Sequence, residues 1–157
     1  MLLSLLAAAL VPPPVPGDDR TAIIATVNTL LDGLTTGDRA KVAGVLEGEG
    51  SFAALDRRNP DKPRDRVTSF AGILASLKPE DVKLEEKIGI PTLMQRGDIA
   101  QVWTPYAFAV NGKPTHCGID AFHLVRRGGQ WRISGLVYTV ESLDQCAPLA
   151  APVLSGK

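Results

Sequence analysis

The sequence predicts an α+β domain, with helices in the first half and antiparallel strands in the second. Up to about Lys83, apolar residues recur at steps of three and four; beyond it they alternate with polar ones. The alternating runs are separated by Arg96-Gly97-Asp98, Asn111-Gly112 and Gly128-Gly129. Asn-Gly suits the positive φ that both central residues of a type I′ hairpin turn require. Helices followed by such a meander pack on one sheet face. At 157 residues the chain supports one hydrophobic core and is short for two.

Met1–Val11 is apolar except for Ser4, and Pro12-Pro13-Pro14-Val15-Pro16-Gly17 follows. Residues 1–17 read as a secretory-signal core and a semi-rigid spacer, although no Lys or Arg precedes the apolar run. A buried N-terminal segment is the other reading. The expected localisation is periplasmic or secreted. The domain proper is expected over 18–147, with 148–157 as a flexible tail.

In the first helix, Ile23, Ile24, Val27, Leu30, Leu31 and Leu34 form one stripe, with Asp18 or Asp19 as cap and Gly33 and Gly37 marking its end. A second helix is predicted over Asp38–Leu46 with Asp38 as cap. Ser51–Leu55 reads as a strand. The stretch Asp56–Arg66 mixes basic and acidic residues with prolines, as a solvated loop does, or forms a lip that attracts an anionic small ligand. A third helix carries Val67, Phe70, Leu74 and Leu77, capped by Asp65 or Thr68. Strands are predicted over Leu84–Arg96, Asp98–Val110, Thr115–Arg126 and Trp131–Val140.

Composition narrows the function classes. Seventeen Lys and Arg balance seventeen Asp and Glu, so there is no global pull towards nucleic acid. No apolar run reaches the roughly 18 residues of a membrane-spanning helix. Two cysteines and two histidines fit no zinc pattern, and no phosphate loop or dinucleotide fingerprint occurs. No metal and no cofactor are expected.

If Gly128-Gly129 is a two-residue turn, Arg127 pairs with Gln130 and the last hairpin is in register. His116, Gly118, Asp120, Phe122 and Leu124 then share the core-facing side with Trp131, Ile133, Gly135, Val137 and Thr139. Extension through Asn111-Gly112 adds Trp103, Pro105 and Ala107, with Trp103 opposite Asp120. An acid on an apolar face is costly unless it is bonded, and its pKa rises. Asp120 is therefore either a carboxylate served by Trp103, Tyr106 or loop amides, or a pocket acid or base. His116, four strand residues away at roughly 13 Å, cannot form a direct dyad with it but can line the same cavity. Ligand-binding candidates are Trp103, Tyr106, His116 and Asp120; catalytic candidates are Asp120 and His116. His123 lies on the other face. That face would carry Thr104, Tyr106, Phe108, Ile119, Ala121, Leu136 and Tyr138, a patch that suits a homodimer.

The two cysteines allow one intramolecular pairing. In this register Cys117 lies opposite Val140, and the link Glu141–Gln145 is long enough to return Cys146 alongside it. A Cys117–Cys146 disulfide is expected, which also requires an oxidising compartment.

Ile99-Ala100-Gln101-Val102-Trp103-Thr104-Pro105-Tyr106-Ala107-Phe108, His116-Cys117-Gly118-Ile119-Asp120-Ala121-Phe122-His123-Leu124, Trp131-Arg132-Ile133 and the tail from Tyr138 to Cys146 resemble the nuclear-transport-factor-2-like superfamily. The resemblance spans roughly Asp19 to Cys146 and is nearest to the lumazine-binding, SnoaL-like branch. It implies a cone-shaped, cystatin-like domain with a pocket between helices and sheet, commonly a homodimer packed sheet to sheet. The superfold hosts isomerases, cyclases, hydrolases and non-catalytic binders, so activity must come from the site. Two functions stay open. One is binding of a small apolar or aromatic ligand without catalysis; the other is a small enzyme with Asp120 as general base and His116 or Trp103 stabilising charge.

Overall fold

The apolar stripe of the first helix becomes α1 (Gly17–Thr36), which buries Ile23, Val27, Leu30 and Leu31. The structure is a computed structural model; it describes residues 17–79 and 81–154, and the signal-like segment over 1–16 lies outside them. Gly37, at φ +69°, ends α1 in the left-handed conformation that glycine adopts freely. Gly33 lies inside the helix, where a Cβ would come within 2.8 Å of Val42. Its missing side chain lets α2 (Arg39–Val45) pack closely. Asp38 caps α2, accepting from the Lys41 amide at 3.0 Å. Asp19 sits in the first turn of α1 and ties that helix to the sheet, accepting from Gln95 (2.7 Å), Arg126 (2.9 Å) and Trp131 (3.3 Å).

The sheet has seven strands: β1 (Ser51–Asp56), β2 (Arg64–Ser69), β3 (Leu84–Ile88), β4 (Thr92–Arg96), β5 (Ile99–Val110), β6 (Lys113–Arg127) and β7 (Gln130–Val140). Their order is β2-β1-β7-β6-β5-β3, with β4 also on β5. Most pairs are antiparallel as expected, but β1 runs parallel to β7, so the sheet is mixed. Helices and sheet enclose one core that includes Phe122, Leu124, Ile133 and Val102. Burying such a side chain stabilises the fold by roughly 1.5–3 kcal/mol. Among the described residues no helix is long and apolar enough to cross a membrane.

Three local expectations are corrected. Residues 64–69 extend as β2 beside β1, and α3 (Phe70–Ser76) starts later than predicted, capped by Ser69 instead of Asp65 or Thr68. Val67 therefore lies on a strand and is 72% exposed. The predicted strand Leu84–Arg96 is broken by Gly89-Ile90-Pro91 into β3 and β4, which share β5 as partner. Residues 148–154, part of the stretch 148–157 expected as a flexible tail, fold back so that Leu154 packs on Ala107 and Ala109.

The largest correction concerns the faces of the sheet. The pairing Arg127↔Gln130 holds through Leu124↔Ile133, but a bulge shifts the next pair to His123↔Gly135. Leu136, Tyr138 and Val140 consequently face inward in place of Val137 and Thr139. A second bulge between Phe108 and Ala109 pairs Phe108 with His116 and Thr104, not Trp103, with Asp120. A one-residue slip moves every side chain beyond it to the other face. Thr104, Tyr106 and Phe108 thus turn inward, and Trp103, Pro105 and Ala107 turn outward. Trp103 is 55% exposed and takes no part in the interior.

Candidate functional site

A cavity of about 640 Å³ opens between α1, α3 and the inner sheet face. Leu31 and Leu34 of α1 and Ile73 of α3 form its roof; Phe52, Leu136 and Val140 supply apolar floor. His116 and Asp120, two residues expected to share a cavity, both line it. Tyr106, another predicted ligand contact, joins them, whereas Trp103 does not.

Asp120 is 2% exposed, and its Oδ2 has no conventional donor among the described residues. The partners proposed for it from sequence are occupied or absent. The Tyr106 hydroxyl donates to the Thr139 carbonyl at 2.8 Å, and Trp103 points away. Its neighbour is Glu86, on the inward phase of β3. Burial pushes the Asp120 carboxyl well above its usual range, and the adjacent Glu86 charge and hydrogen bond push it further. Burial also raises Glu86, to about 7, against a hydrogen bond from Asp120 that opposes the rise. Glu86 as a residue keeps some exposure, but its carboxyl end is enclosed against Asp120. Two buried carboxyls side by side repel as anions, which favours a proton on the pair, on Asp120 before Glu86.

Glu86 is the acidic cavity residue that the sequence reading missed. Its signal was present: Leu84, Glu86 and Ile88 share one strand phase, so an acid stands where the alternation calls for an apolar residue. The register relating β3 to Asp120 could not be read, because the Gly89-Ile90-Pro91 break was hidden within one long predicted strand.

His116 lies against Phe108, with ring centroids 4.8 Å apart and planes at 23°, and meets Tyr106 edge-on at 5.8 Å. Its Nδ1 lies 2.9 Å from the Thr115 hydroxyl. Burial lowers its pKa to about 4, helped by the positive charge of Arg58. The ring is a neutral imidazole at pH 7. Burial and the nearby acids raise the Tyr106 phenol, so it stays protonated.

The mouth is polar. Asp56 is held at about 2, first by its hydrogen bond with Arg58, whose Nη2 and Nε reach it at 2.6 and 3.0 Å. Arg64 and Arg66 occupy alternate positions on β2 and line the same opening. Here the stretch Asp56–Arg66 is both the end of one strand and the start of another. Three of its five basic residues, Arg58, Arg64 and Arg66, border the cavity. Among the described residues no cluster of His, Cys, Asp and Glu is suited to hold a metal ion.

Cys117 and Cys146 form a disulfide, with Cα atoms 5.6 Å apart. The register slip places Cys117 opposite Glu141, not Val140. The bridge is nevertheless reached through the short turn Leu143–Gln145.

No family model matches the chain, and no curated protein matches it. Solved structures do. A protein of unknown function with a cystatin-like fold from Nostoc punctiforme superposes with a TM-score of 0.63 at 10% identity, over 80% of this chain and 93% of that one. An NTF2-like protein with a cystatin-like fold from Novosphingobium aromaticivorans gives 0.60 at 14% identity, over 85% and 87%. A candidate dehydratase of the NTF2-like family from Streptomyces avermitilis gives 0.63 at 12% identity, over 80% and 98%. The fold and its enclosed pocket define a domain of the NTF2-like, cystatin-like architecture. The α+β class and the fold expected from the resemblance are those of these structures.

Proposed function

We propose that this domain binds a small molecule with an apolar or aromatic body in the cavity, anchored by the Glu86–Asp120 pair. One observation carries the reading: a fully buried acid with an unserved oxygen faces a cavity of ligand size. A buried polar group without a partner is costly, and a ligand that bonds to the pair offsets that cost. The lumazine-binding, SnoaL-like branch supplies the finer proposal of a flat heteroaromatic ring. The probe 6-hydroxy-2-naphthamide is expected to bind to the purified protein, with shifts in the NMR signals of His116 and Tyr138. Ala54→Trp, which fills the cavity from β1, should abolish the binding. Retained affinity in that variant would place the binding elsewhere and overturn the reading.

A second reading, an enzyme of isomerase, cyclase or hydrolase type, is favoured by the acid pair. Asp120, expected as general base, carries the pair's proton in this arrangement, so the base's part falls to Glu86. With the proton on Asp120, the ionised Glu86 accepts a proton from substrate and Asp120 returns one. His116, neutral and lining the same cavity, is the further catalytic candidate.

We also propose a homodimer through the outer sheet face. The predicted interface of Tyr106, Phe108, Ile119 and Leu136 is revised, because only Ile119 of these faces outward. The pairings Val67↔Ala53↔Val137↔Ala121↔Trp103 instead lay one row across the sheet, and Val67, Val137 and Trp103 are exposed. Light scattering at micromolar concentration should give a dimer mass that Trp103→Lys shifts towards monomer. A wild-type monomer would refute it. Export is proposed on the disulfide, which an oxidising compartment sustains.

A further inference from the structure

The two ends of the cavity carry opposite electrostatic character. At the deep end, the acid pair shares a proton and presents residual negative charge. At the mouth, Asp56 is neutralised by Arg58, at 2.6 Å. Arg64 and Arg66 stand on the same face of β2, and among the described residues neither forms an ion pair. Both are exposed, as residues at an open mouth are. Opposite Arg64 across the strand pair is Asp56, whose charge Arg58 already holds; opposite Arg66 is Ala54, which offers no charge. The mouth therefore carries Arg66 with no acid opposite it and Arg64 facing only an Asp56 that Arg58 already holds, above an apolar shaft.

Resting on the pocket reading above, we infer that the ligand is an amphipathic organic anion, its carboxylate held by Arg64 and Arg66 and its uncharged polar end directed at Glu86 and Asp120. The charge arrangement fixes this orientation. An anionic group placed deep would meet the acid pair without a compensating cation, whereas at the mouth it meets guanidinium forks suited to bidentate carboxylate binding. The apolar middle, lined by Phe52, Leu136 and Ile73, takes the ring body. A neutral hydroxyl or carbonyl at the far end can accept from the protonated acid or donate to its partner.

A matched pair of probes tests this inference by isothermal titration calorimetry at low salt: 6-hydroxy-2-naphthoate and 6-hydroxy-2-naphthamide, which differ only in the charge at one end. The naphthoate is expected to bind at least about 10-fold more tightly to the wild-type protein, and 0.5 M NaCl should erase most of that margin. In the variant Arg64→Gln/Arg66→Gln the margin should vanish, the ratio of the two affinities falling to about one. Lys at both positions should restore part of it, since charge survives while the fork is lost. If both probes bind equally to the wild type, the anion inference is overturned and the pocket reading stands. If neither binds, the pocket reading fails and the inference goes with it. A naphthoate preference that persists in the Gln variant also overturns the role of Arg64 and Arg66.

Discussion

Replacing both cysteines by alanine is expected to lower the stability of the domain by about 3–4 kcal/mol, the loss in chain entropy predicted for a loop of this length. The bridge spans a sequence separation of 29 and joins the interior of β6 to the end of the chain. For a domain of this size the change corresponds to a fall in Tm of roughly 10 °C. The consequences extend beyond the unfolded state. Cys146 leads into the segment whose Leu154 covers Ala107 and Ala109, and whose backbone comes close to Gly89. Without the bridge, that segment is held by packing and its own turn hydrogen bonds alone. Urea unfolding of oxidised wild type against Cys117→Ala/Cys146→Ala measures the effect. A difference below about 1 kcal/mol would show that the tail is held by its packing alone.

The second large effect is the dependence of stability on pH. In the unfolded chain, Glu86 and Asp120 ionise near ordinary carboxylate values; in the folded protein burial raises both, and the Glu86 charge raises Asp120 further. The native state thus binds more protons than the unfolded state above about pH 4.5. Stability from this pair is fully present below the unfolded values and declines as pH rises through the folded value of Glu86, about 7. The share of the decline that Glu86 carries should be on the order of 3 kcal/mol between pH 4.5 and 7.5, and Asp120 adds to it in the same direction. Asp56, held at about 2 by Arg58, acts in the opposite direction and only at acid pH, so the two effects occupy different windows. The amide replacement Glu86→Gln/Asp120→Asn preserves shape and a donor–acceptor contact while removing the titration. Because His116, lowered to about 4, still makes stability rise with pH up to about its unfolded value, the test is the difference between the profiles. Wild-type stability relative to the variant should fall across the window, and parallel profiles would contradict the account.

The fold was largely legible because its signals are local. The period-three-and-four stripe of α1 and the Asn111-Gly112 and Gly128-Gly129 turns needed no tertiary information. The cysteine pairing was readable by elimination, even though the expected neighbour of Cys117 was off by one residue. The site was half legible. Asp120, His116 and Tyr106 were identified and do line the cavity, while Trp103 was misplaced and Glu86 was missed. The cause is the two bulges. An extra residue at Thr115 and another at Ser134 leave no clear mark on hydrophobic alternation, because both faces of these strands carry apolar side chains. The same bulges turn Tyr106 and Tyr138 inward, so the features that defeated the register argument also shape the pocket.

The central claim is that Glu86 and Asp120 form one proton-sharing pair inside the cavity. Carbon-13 NMR titration of their side-chain carboxyl signals addresses it directly. The account predicts that Asp120 remains protonated at pH 7, that Glu86 passes its midpoint near pH 7, and that Asp120→Asn moves the Glu86 midpoint. Two independent transitions between about pH 3 and 5, each indifferent to replacement of the other residue, would contradict it.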